Sequence, residues 1–362
     1  MTLPLNQIIL GDAIEQMKAL PDNSINLILT DPPYFKVKAE WWDRQWEKPE
    51  AFLEWMDLVA EQWARILKPN GSLYCFASPR MASRIEVMLM ERFNVLNRIL
   101  WNKGNLPTGG RHKAVSKDSL RAFFPASESI LFCEHYGADN IAKGEAGYAA
   151  KCDELRGFVF EPIRAYLDGE RERAGLSIRA VAEAFQQKTG SRTVTGMAGH
   201  WFTSIQWTLP TEENYLWLRG LFNQGGDDYL RSQYEELRSQ YEELRSQYEE
   251  LRRPFFATAD APYTDVWEFK TVPTRQGKHL CEKPQALLQH IIQSSSRPGD
   301  VVLDCFAGSG STLVAAKNLK RKFIGIEIDP HWVEAASGSL KDSCETLPLQ
   351  RIARTQEVPI AA

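Results

Sequence analysis

The sequence predicts an α/β fold: a doubly wound, circularly permuted sheet with a helical domain inserted into it. Apolar runs near the two chain ends, Ile8–Leu10 and Asn26–Leu29 at the start and Val301–Leu303 and Phe323–Ile326 at the end, have the length and composition of buried parallel strands. Helical patterns alternate with these runs, whereas residues 155–222 are helical in pattern throughout. The two ends of the chain therefore belong to one sheet, and the middle is an insertion.

The amino-terminal part continues with a helix and three more strands. Phe52–Leu67 places five large apolar side chains at helical spacing and stops at a Pro-Asn-Gly turn. Ser72–Phe76 predicts a strand, and Ile99–Trp101 and Ile130–Cys133 predict edge strands. The two strands near the carboxyl end come last in the chain but are expected at the centre of the sheet.

The inserted segment predicts four helices. Arg164–Ala174 is the first, and Ser177 is the expected N-cap of the second, Ile178–Phe185. A polar turn leads to the third, Thr193–Phe202. Thr211–Phe222 is the fourth, introduced by a Pro-Thr pair.

An exact repeat follows. Ser-Gln-Tyr-Glu-Glu-Leu-Arg occurs three times, at 232–238, 239–245 and 246–252. Its Tyr and Leu positions alternate at spacings of three and four, which predicts a helix with one continuous apolar stripe. The stripe leaves a homodimeric coiled coil open. Because three heptads are marginal for self-association, the preferred interpretation is that it packs on its own subunit or stays half solvated.

These patterns divide the chain into five segments. Residues 1–140 and 260–340 are the two halves of the sheet domain. Between them lie a helical domain at 150–226 and the heptad helix at 227–253, and residues 341–362 are a carboxy-terminal tail.

The first chemical motif is Asp31-Pro32-Pro33-Tyr34, here called the amine corner. It follows the carboxyl end of the Asn26–Leu29 strand, where open α/β sheets bind ligands. The two prolines lack backbone donors and hold the chain extended, which leaves carbonyl acceptors beside the Asp31 carboxylate. Two acceptors directed at an exocyclic amine would draw its nitrogen toward a tetrahedral, nucleophilic geometry. Tyr34 offers a flat face for a base taken out of its stack. An ordinary Asp-Pro-Pro turn is the alternative.

The second motif, Asp304-Cys305-Phe306-Ala307-Gly308-Ser309-Gly310-Ser311, is called the glycine turn. It joins the Val301–Leu303 strand to a helical pattern, and its glycines allow close approach of a ligand. Glu327 ends the next strand and is placed to accept hydrogen bonds from ribose hydroxyls. The third glycine of the G-x-G-x-x-G pattern is missing, since position 313 is Leu. This favours S-adenosylmethionine over NAD.

Together the two motifs resemble the amino-methyltransferases of DNA, S-adenosylmethionine-dependent enzymes with a Rossmann-like sheet that modify adenine N6 or cytosine N4. The order of the motifs resembles the β group of this family, in which the target-recognition region lies between them. The resemblance covers roughly the first 135 residues and residues 260–340.

The resemblance implies a set of cofactor contacts. Gly11-Asp12 resembles the end of the strand whose acidic residue contacts the cofactor adenine, and Glu282-Lys283-Pro284 resembles a Gln-Lys-Pro segment that packs over the cofactor, with Glu in place of the usual Gln. Cys305 is interpreted as a small apolar filler within this set. The residues expected to bind the cofactor are Asp12, Asp31, Lys283, Pro284, Asp304, Cys305, Phe306, Gly308, Gly310, Ser311 and Glu327.

The same resemblance implies the reaction. Asp-Pro-Pro-Tyr is commoner for adenine N6 and Ser-Pro-Pro-Tyr for cytosine N4, so the preferred target is adenine N6 in duplex DNA after base flipping. Asp31, Pro32, Pro33 and Tyr34 are the expected catalytic residues. The segment Lys36–Trp46 is predicted to close over the base as a mobile loop, and surface packing of its tryptophans is the alternative. Cytosine N4, an RNA or protein-glutamine substrate, and an inactive DNA-binding regulator are the alternatives.

Basic residues suggest one place where DNA is held. Residues 80–121 carry nine Arg and Lys against three Asp and Glu, although the net charge of the chain is −4. Arg111, His112 and Lys113 lie in a glycine-rich loop of this segment and are predicted phosphate or groove contacts. A solvated charged loop is the alternative.

The helical insertion suggests a second place. Arg173–Ala182 resembles the opening of helix-turn-helix domains of the phage-repressor type, and Thr193–Phe202 would then be the recognition helix. Met197 and Trp201 are expected in the core of this domain. An insertion that only packs on the sheet is the alternative. The predicted DNA contacts of the insertion are Arg192, Thr193, Thr195 and His200.

Bulk properties exclude other classes. The chain has 362 residues, 43% hydrophobic and 25% charged, which is ordinary for a soluble globular protein. No apolar run has the length of a membrane span and no signal peptide is recognisable, so the protein is expected in the cytoplasm. The six cysteines include no CxxC pair, so neither a metal site nor a disulfide framework is indicated.

Overall fold

The computed structural model describes residues 2–37, 41–103, 126–135, 155–193, 196–204, 206–256, 264–272 and 282–343. These residues belong to two compact units. The first unit contains the described residues up to 135 and those from 253 onward, and the second contains the described residues from 155 to 252.

The first unit is built on an eight-stranded sheet with the order β1-β8-β7-β2-β3-β5-β4-β6. Strand β5 is antiparallel to both of its neighbours, β3 and β4, and the other neighbouring strands are parallel. The strands are β1 Gln7–Leu10, β2 Ile25–Thr30, β3 Leu67–Ala77, β4 Phe93–Asn102, β5 Ser127–His135, β6 Val266–Glu268, β7 Val301–Asp304 and β8 Lys322–Glu327.

The predicted edge strands are not at an edge. Strand β5 lies between β3 and β4, and β4 is covered by the three-residue strand β6. Leu100 donates its backbone N–H to Asp265 O at 2.7 Å, and Trp101 Nε1 donates to Phe269 O at 2.8 Å. A strand this short has too few residues for a recognisable alternation, so the sequence pattern did not reveal it. The edges of the sheet are β1 and β6.

The permuted connection predicted from the sequence is present. Strand β2 pairs with β7 in parallel, with Leu27 opposite Val302 and Ile28 opposite Leu303. Asn26 Oδ1 also accepts the N–H of Val301 at 3.1 Å. The carboxyl ends of an early strand and a late strand therefore lie side by side, at a position where open α/β sheets bind ligands.

Helices cover both faces of the sheet. Helix α1 is Ala13–Lys18, α2 Trp41–Arg44, α3 Pro49–Ile66 and α4 Ala82–Met90, followed near the carboxyl end by three more. Ile28 points into the core beneath α1, α3 and α4, whereas Leu27 and Leu29 point into the opposite core. This alternation is the period of two expected of a strand buried on both faces. The three helices near the carboxyl end are α9 Gln285–Ser295, α10 Ser311–Asn318 and α11 Pro330–Asp342; α5 to α8 belong to the second unit.

The second unit is helical. It contains α5 Glu161–Arg173, α6 Ile178–Thr189, α7 Glu212–Phe222 and α8 Tyr234–Leu251. The predicted N-cap is formed, since the Ser177 hydroxyl accepts the N–H of Ala180 at 3.1 Å. Thr211, which was expected inside the fourth helix, is also an N-cap: its hydroxyl accepts the N–H of Asn214 at 3.3 Å.

The prediction of an α-helix over Thr193–Phe202 is wrong. The structure has a short 3₁₀ helix, Gly196–Trp201, instead of an α-helix. Two glycines within six residues weaken an α-helix here. Trp201 is buried as expected and contacts Phe185, with ring centroids 5.1 Å apart, but Met197 is 39% exposed and does not belong to the core.

The heptad stripe packs within its own unit. Leu237 and Tyr248 are buried, and Tyr241 stacks on Phe160 with ring centroids 5.2 Å apart. Leu230, which appeared to extend the row, lies outside α8 in a left-handed conformation (φ +53°) and is buried. The predicted intramolecular packing of the stripe is therefore the one observed.

In the part of the chain that the structure describes, no helix combines the length and apolar character needed to cross a membrane.

Candidate active site

The amine corner and the glycine turn line one cavity. It is open to solvent, has a volume of about 900 Å³ when that open space is included, and lies at the adjacent carboxyl ends of β2 and β7. Residues from four further places in the chain complete the lining: Asp43, Phe76, Lys283 and the segment from Glu327 to Trp332. Two motifs some 270 positions apart in the sequence thus meet in one site.

Asp31 has one engaged and one unengaged carboxylate oxygen. Oδ2 accepts a hydrogen bond from Lys283 Nζ. Oδ1 is buried and has no hydrogen-bond partner among the described residues. Burial raises the pKa of Asp31 and the Lys283 ammonium opposes this rise. A buried acceptor without a donor is unfavourable unless a ligand satisfies it, so Oδ1 is suited to accept from a bound N–H group.

Tyr34 is held at its backbone and at its hydroxyl. Its N–H donates to Asp43 Oδ1 at 2.7 Å, and its hydroxyl donates to Glu128 Oε2 at 3.3 Å. Asp43 belongs to α2 and its carbonyl also accepts the N–H of Lys36 at 2.8 Å. These contacts fix the direction in which the chain leaves the corner.

The segment after the corner differs from the predicted mobile loop. Residues 38–40 lie outside the described residues, and the backbone of Trp41–Arg44 forms α2. Trp46 is buried against Phe52 and Trp55, with ring centroids 5.0 Å and 4.7 Å away. Trp46 therefore belongs to the core, and a closing role does not apply to it.

Two lysines and two carboxylates form a charged cluster behind the corner. Glu128 Oε1 contacts Lys103 Nζ, and Glu128 Oε2 lies 3.5 Å from Lys283 Nζ. Lys283 in turn contacts Asp31. Burial opposes the ionisation of Glu128, but the two ammonium groups prevail and its pKa is lowered. The cluster pairs two positive with two negative charges.

The glycine turn has the close packing that its glycines suggested. Gly308 and Gly310 have φ of +48° and +77°. A Cβ on Gly310 would lie 2.7 Å from the Cβ of Ala336 in α11, which is too close for any side chain. Asp304 Oδ1 accepts from the Thr30 hydroxyl at 2.9 Å and from the Phe306 N–H at 3.2 Å. Burial raises the pKa of Asp304 to about 6.

Glu327 is oriented by the turn itself. One of its oxygens accepts the N–H of Gly308 at 2.7 Å, and the other accepts that of Asp329 at 2.9 Å. Burial raises its pKa, and these backbone hydrogen bonds oppose the rise. Each carboxylate oxygen retains acceptor capacity, so Glu327 can also bind the hydroxyl groups of a ligand.

Four residues expected to bind the cofactor do not line the cavity. Asp12 is exposed and caps α1 through the N–H of Glu15 at 3.1 Å, and Pro284 is buried at the start of α9. Gly310 packs on Ala336 as described. Cys305 is buried in the core, accepts from Trp63 Nε1 at 3.2 Å, and burial raises the pKa of its thiol to about 12, which agrees with a filler role.

The structure also brings in residues that sequence reasoning missed. Glu128, Lys103, Asp43, Phe76 and Trp332 occupy or support the site although none stands in a recognisable motif. Trp332 comes five positions after Glu327. An aromatic residue so close in the sequence to an expected ribose contact was the one signal by which this residue could have been found.

The predicted DNA contacts are only partly described. Arg192 and Thr193 are exposed after α6, and His200 is partly buried in the 3₁₀ helix. Arg111, His112, Lys113 and Thr195 lie outside the described residues.

Comparison with protein families gives a match over most of the chain. The N6/N4 methyltransferase family model, described as DNA methylase, matches residues 25–338.

Two curated relatives and one solved structure are similar along nearly the whole chain. DNA adenine methyltransferase YhdJ of Escherichia coli (strain K12) is 25% identical over 333 residues, covering 90% of this chain and 80% of the relative. Type II methyltransferase M.HinfI of Haemophilus influenzae is 25% identical over 357 residues, covering 93% and 69%. The structure of PvuII DNA methyltransferase (cytosine-N4-specific) superposes with a TM-score of 0.50 at 15% identity, covering 94% and 87%, and shows likeness of fold.

Proposed function

The chain belongs to the N6/N4 DNA methylase family, and on that premise we propose that it transfers a methyl group from S-adenosylmethionine to adenine N6 in duplex DNA. The observation that supports this most directly is the shared cavity: the corner suited to an amine and the turn suited to a nucleoside line the same space. An amine and a methyl donor bound there would be neighbours.

The residues present fit the methyl donor. The cavity lining combines apolar and aromatic side chains, including Phe306 and Trp332, with polar and charged groups that can fix the orientation of a ligand. Glu327, Asp329 and the backbone of the glycine turn would hold the nucleoside part, with Lys283 and Asp304 beside it. When bound, S-adenosylmethionine supplies an electrophilic methyl group on a sulfonium.

The chain's own contribution is the orientation of the amine. Asp31 Oδ1 and the Pro32 carbonyl would accept its two hydrogens, and Tyr34 would stack on the extruded base. The raised pKa of Asp31 makes its carboxylate a better acceptor for the proton that the nitrogen must lose. No covalent enzyme intermediate is required, and positioning supplies most of the rate.

Adenine is proposed as the target rather than cytosine. The corner carries Asp rather than Ser before Pro-Pro-Tyr, and the relative YhdJ is an adenine methyltransferase by name. The cytosine-N4-specific PvuII methyltransferase is only 15% identical to this chain, so its similarity supports the fold and not the choice of base.

Digestion of methylated DNA tests the proposal. Purified protein would be incubated with duplex DNA and radiolabelled S-adenosylmethionine, and the nucleosides would be separated after nuclease treatment. Label in N6-methyladenine is expected, and none with Asp31→Ala, because that variant lacks the acceptor. Label in N4-methylcytosine would overturn the choice of base. Failure of the wild-type protein to label DNA of any sequence would overturn the methyltransferase proposal itself.

We also propose that the second unit reads the DNA sequence in the manner of a helix-turn-helix domain. Supporting this are the capped helix α6, with Ser177 at its start, and the exposed side chains of Arg192 and Thr193 after its end. The short 3₁₀ helix means that the recognition element is not a regular α-helix, so backbone turns as well as side chains would approach the groove. Arg111, His112 and Lys113 are proposed phosphate contacts.

Two further predictions follow from this function. A protein that modifies DNA in the cell is proposed to reside in the cytoplasm. Homodimerisation stays a prediction, and sedimentation of the purified protein tests it. The heptad stripe is not its proposed interface, because Leu237, Tyr241 and Tyr248 pack within their own unit.

A further inference from the structure

Glu128 connects the two groups of the amine corner that are proposed to touch the base. It lies near the start of β5, opposite Trp101 of β4, and only 14% of its side chain is exposed. Oε1 contacts the ammonium of Lys103. Oε2 receives the Tyr34 hydroxyl at 3.3 Å and lies 3.5 Å from Lys283 Nζ. The carboxylate of Glu128 therefore contacts Lys103, Tyr34 and Lys283, which come from three separate parts of the chain.

Lys283, one cation of this cluster, is itself enclosed, whereas the side chain of Lys103 is 30% exposed. Lys283 is 8% exposed, and its ammonium lies 4.8 Å from the ring centroid of Phe76 and 5.6 Å from that of Tyr34. Lys103 lies over Trp101 at 5.5 Å. Ammonium groups over aromatic faces are attracted to them, and desolvated charges need paired partners. The position of Lys283 therefore depends on both carboxylates that flank it.

The consequence falls on Asp31. Lys283 occupies Oδ2 of Asp31, and Oδ1 is left without a partner in the described part of the chain. If Lys283 moved, the carboxylate could rotate and the oxygen available to an amine would change. Replacement of Glu128 would in addition remove the hydrogen bond that Glu128 accepts from the Tyr34 hydroxyl.

We propose that Glu128 is a positioning residue of the methyl-transfer site: by holding Lys283 and the Tyr34 hydroxyl it keeps one oxygen of Asp31 available to the target amine. This inference rests on the proposed function. It assigns to Glu128 no contact with the base or the methyl donor.

The charge of Glu128 also affects the ionisation of Asp31. Burial is the main cause of the raised pKa of Asp31, Lys283 lowers it, and Glu128 raises it. Glu128→Gln removes this raising cause, but it also releases Lys283, whose lowering effect on the pKa of Asp31 is the larger of the two. The pKa of Asp31 should therefore rise, and the acidic limb of the pH–rate profile should move to higher pH. The other charged or titratable groups around Asp31 are Tyr34 on its own loop, Asp43 of α2, Cys75 of β3, Lys103 after β4 and Asp304 of β7.

Glu128→Gln tests the proposal, with Glu134→Gln as its matched control. Both glutamates are on β5 and both pair with an enclosed cation. Arg253, the partner of Glu134, does not line the cavity, whereas Lys283 and Tyr34, which Glu128 contacts, do. For Glu128→Gln we expect a roughly 10- to 100-fold fall in the single-turnover rate of methyl transfer, an acidic limb at higher pH, and S-adenosylmethionine affinity by calorimetry within about twofold of wild type. Glu134→Gln should change thermal stability but neither the rate nor the pH profile.

Glu128→Asp keeps the inference testable if the Gln variant folds poorly. It retains the charge on a shorter side chain and should recover part of the lost rate with the wild-type pH profile. A wild-type rate and pH profile in Glu128→Gln, or a loss of rate that only follows the folded fraction, would overturn the positioning role. Both outcomes presuppose an active wild-type enzyme, whereas absence of methyl transfer by wild type overturns the proposed function instead.

Discussion

Two enclosed carboxyl groups at the ends of neighbouring strands have different surroundings. Asp31, after β2, pairs with the Lys283 ammonium. Asp304, at the end of β7, accepts from uncharged donors, the Thr30 hydroxyl and the Phe306 N–H. Dipoles offset the cost of burying a charge less than a cation does. Burial raises the pKa of both carboxyl groups, and that of Asp304 is raised to about 6.

This raised pKa gives stability a definite dependence on pH. The folded protein holds the Asp304 proton up to about pH 6, whereas the unfolded chain releases it near 3.8. The stability contributed by the protonated form is therefore present at low pH and is lost as the pH rises through about 6. At about 1.4 kcal/mol per pKa unit, the loss is roughly 3 kcal/mol at most.

Asp304→Asn should remove this part of the pH dependence, because the amide stays neutral. Urea unfolding at pH 4.5 and pH 7.5 measures it. We expect the fall in free energy of unfolding between these two values to be smaller in the variant than in wild type. Parallel falls in both proteins would show that Asp304 ionises in the folded state as readily as in the unfolded chain.

Gly310 is the second residue at which local geometry decides the outcome. Gly310→Ala places a methyl group 2.7 Å from Ala336 Cβ on a backbone with φ of +77°. We expect a loss of about 1–3 kcal/mol in the free energy of unfolding. Gly338→Ala is the control, since Gly338 lies in α11 with open space around its Cβ position. That change should be neutral or stabilising by up to about 1 kcal/mol. Equal effects of the two substitutions would contradict the packing described for the turn.

At the scale of elements, the heptad helix shows that an identical repeat need not have identical surroundings. Leu237 and Leu251 occupy the same position in the first and third copies. Leu237 is 3% exposed and packs in the core of the second unit, whereas Leu251 is 51% exposed. A coiled-coil dimer would bury every copy of this position, and the structure buries it selectively.

Alanine substitutions measure this difference. Leu237→Ala should cost about 2–5 kcal/mol in free energy of unfolding, as expected for a buried leucine. Leu251→Ala should cost less than about 1 kcal/mol, because its side chain is already half exposed. Chemical denaturation gives both values. Similar losses in both variants, together with dissociation of a dimer in sedimentation, would establish the coiled coil instead.

Element types followed from the sequence more reliably than the positions of strands in the sheet. Helices α5, α6 and α7 were predicted because apolar spacing and N-cap residues are local signals. The 3₁₀ helix Gly196–Trp201 was missed, since its buried Trp201 also fits an α-helical pattern. Strand β6 was missed because it is short and gains its identity only by pairing with β4.

At the scale of the whole molecule, chemistry and sequence reading are proposed to lie in separate units. The cavity is built entirely from the first unit. The side chains proposed to read bases, among them Arg192, belong to the second. A change in the second unit should therefore alter which sites are methylated without altering the affinity for the methyl donor.

Arg192→Ala combined with Thr195→Ala tests this division. Single-molecule sequencing of DNA from cells that express the variant would report the modified sites, and calorimetry would report S-adenosylmethionine affinity. We expect a changed or relaxed site preference with affinity within about twofold of wild type. Methylation of the same sites at the same rate would remove these residues from the reading surface.

The sequence by itself determined the strand runs, the amine corner and the glycine turn, because apolar length, proline and glycine act over a few neighbouring residues. It also placed Asp31, Tyr34, Phe306 and Glu327 in one expected site, and all four line the cavity. Only the tertiary structure decided that Lys283 and Glu128 stand behind Asp31, that β6 covers β4, and that the heptad stripe packs on its own unit. Such contacts join residues far apart in the chain, and their partners are set by strand order and helix docking, which local periodicity does not encode.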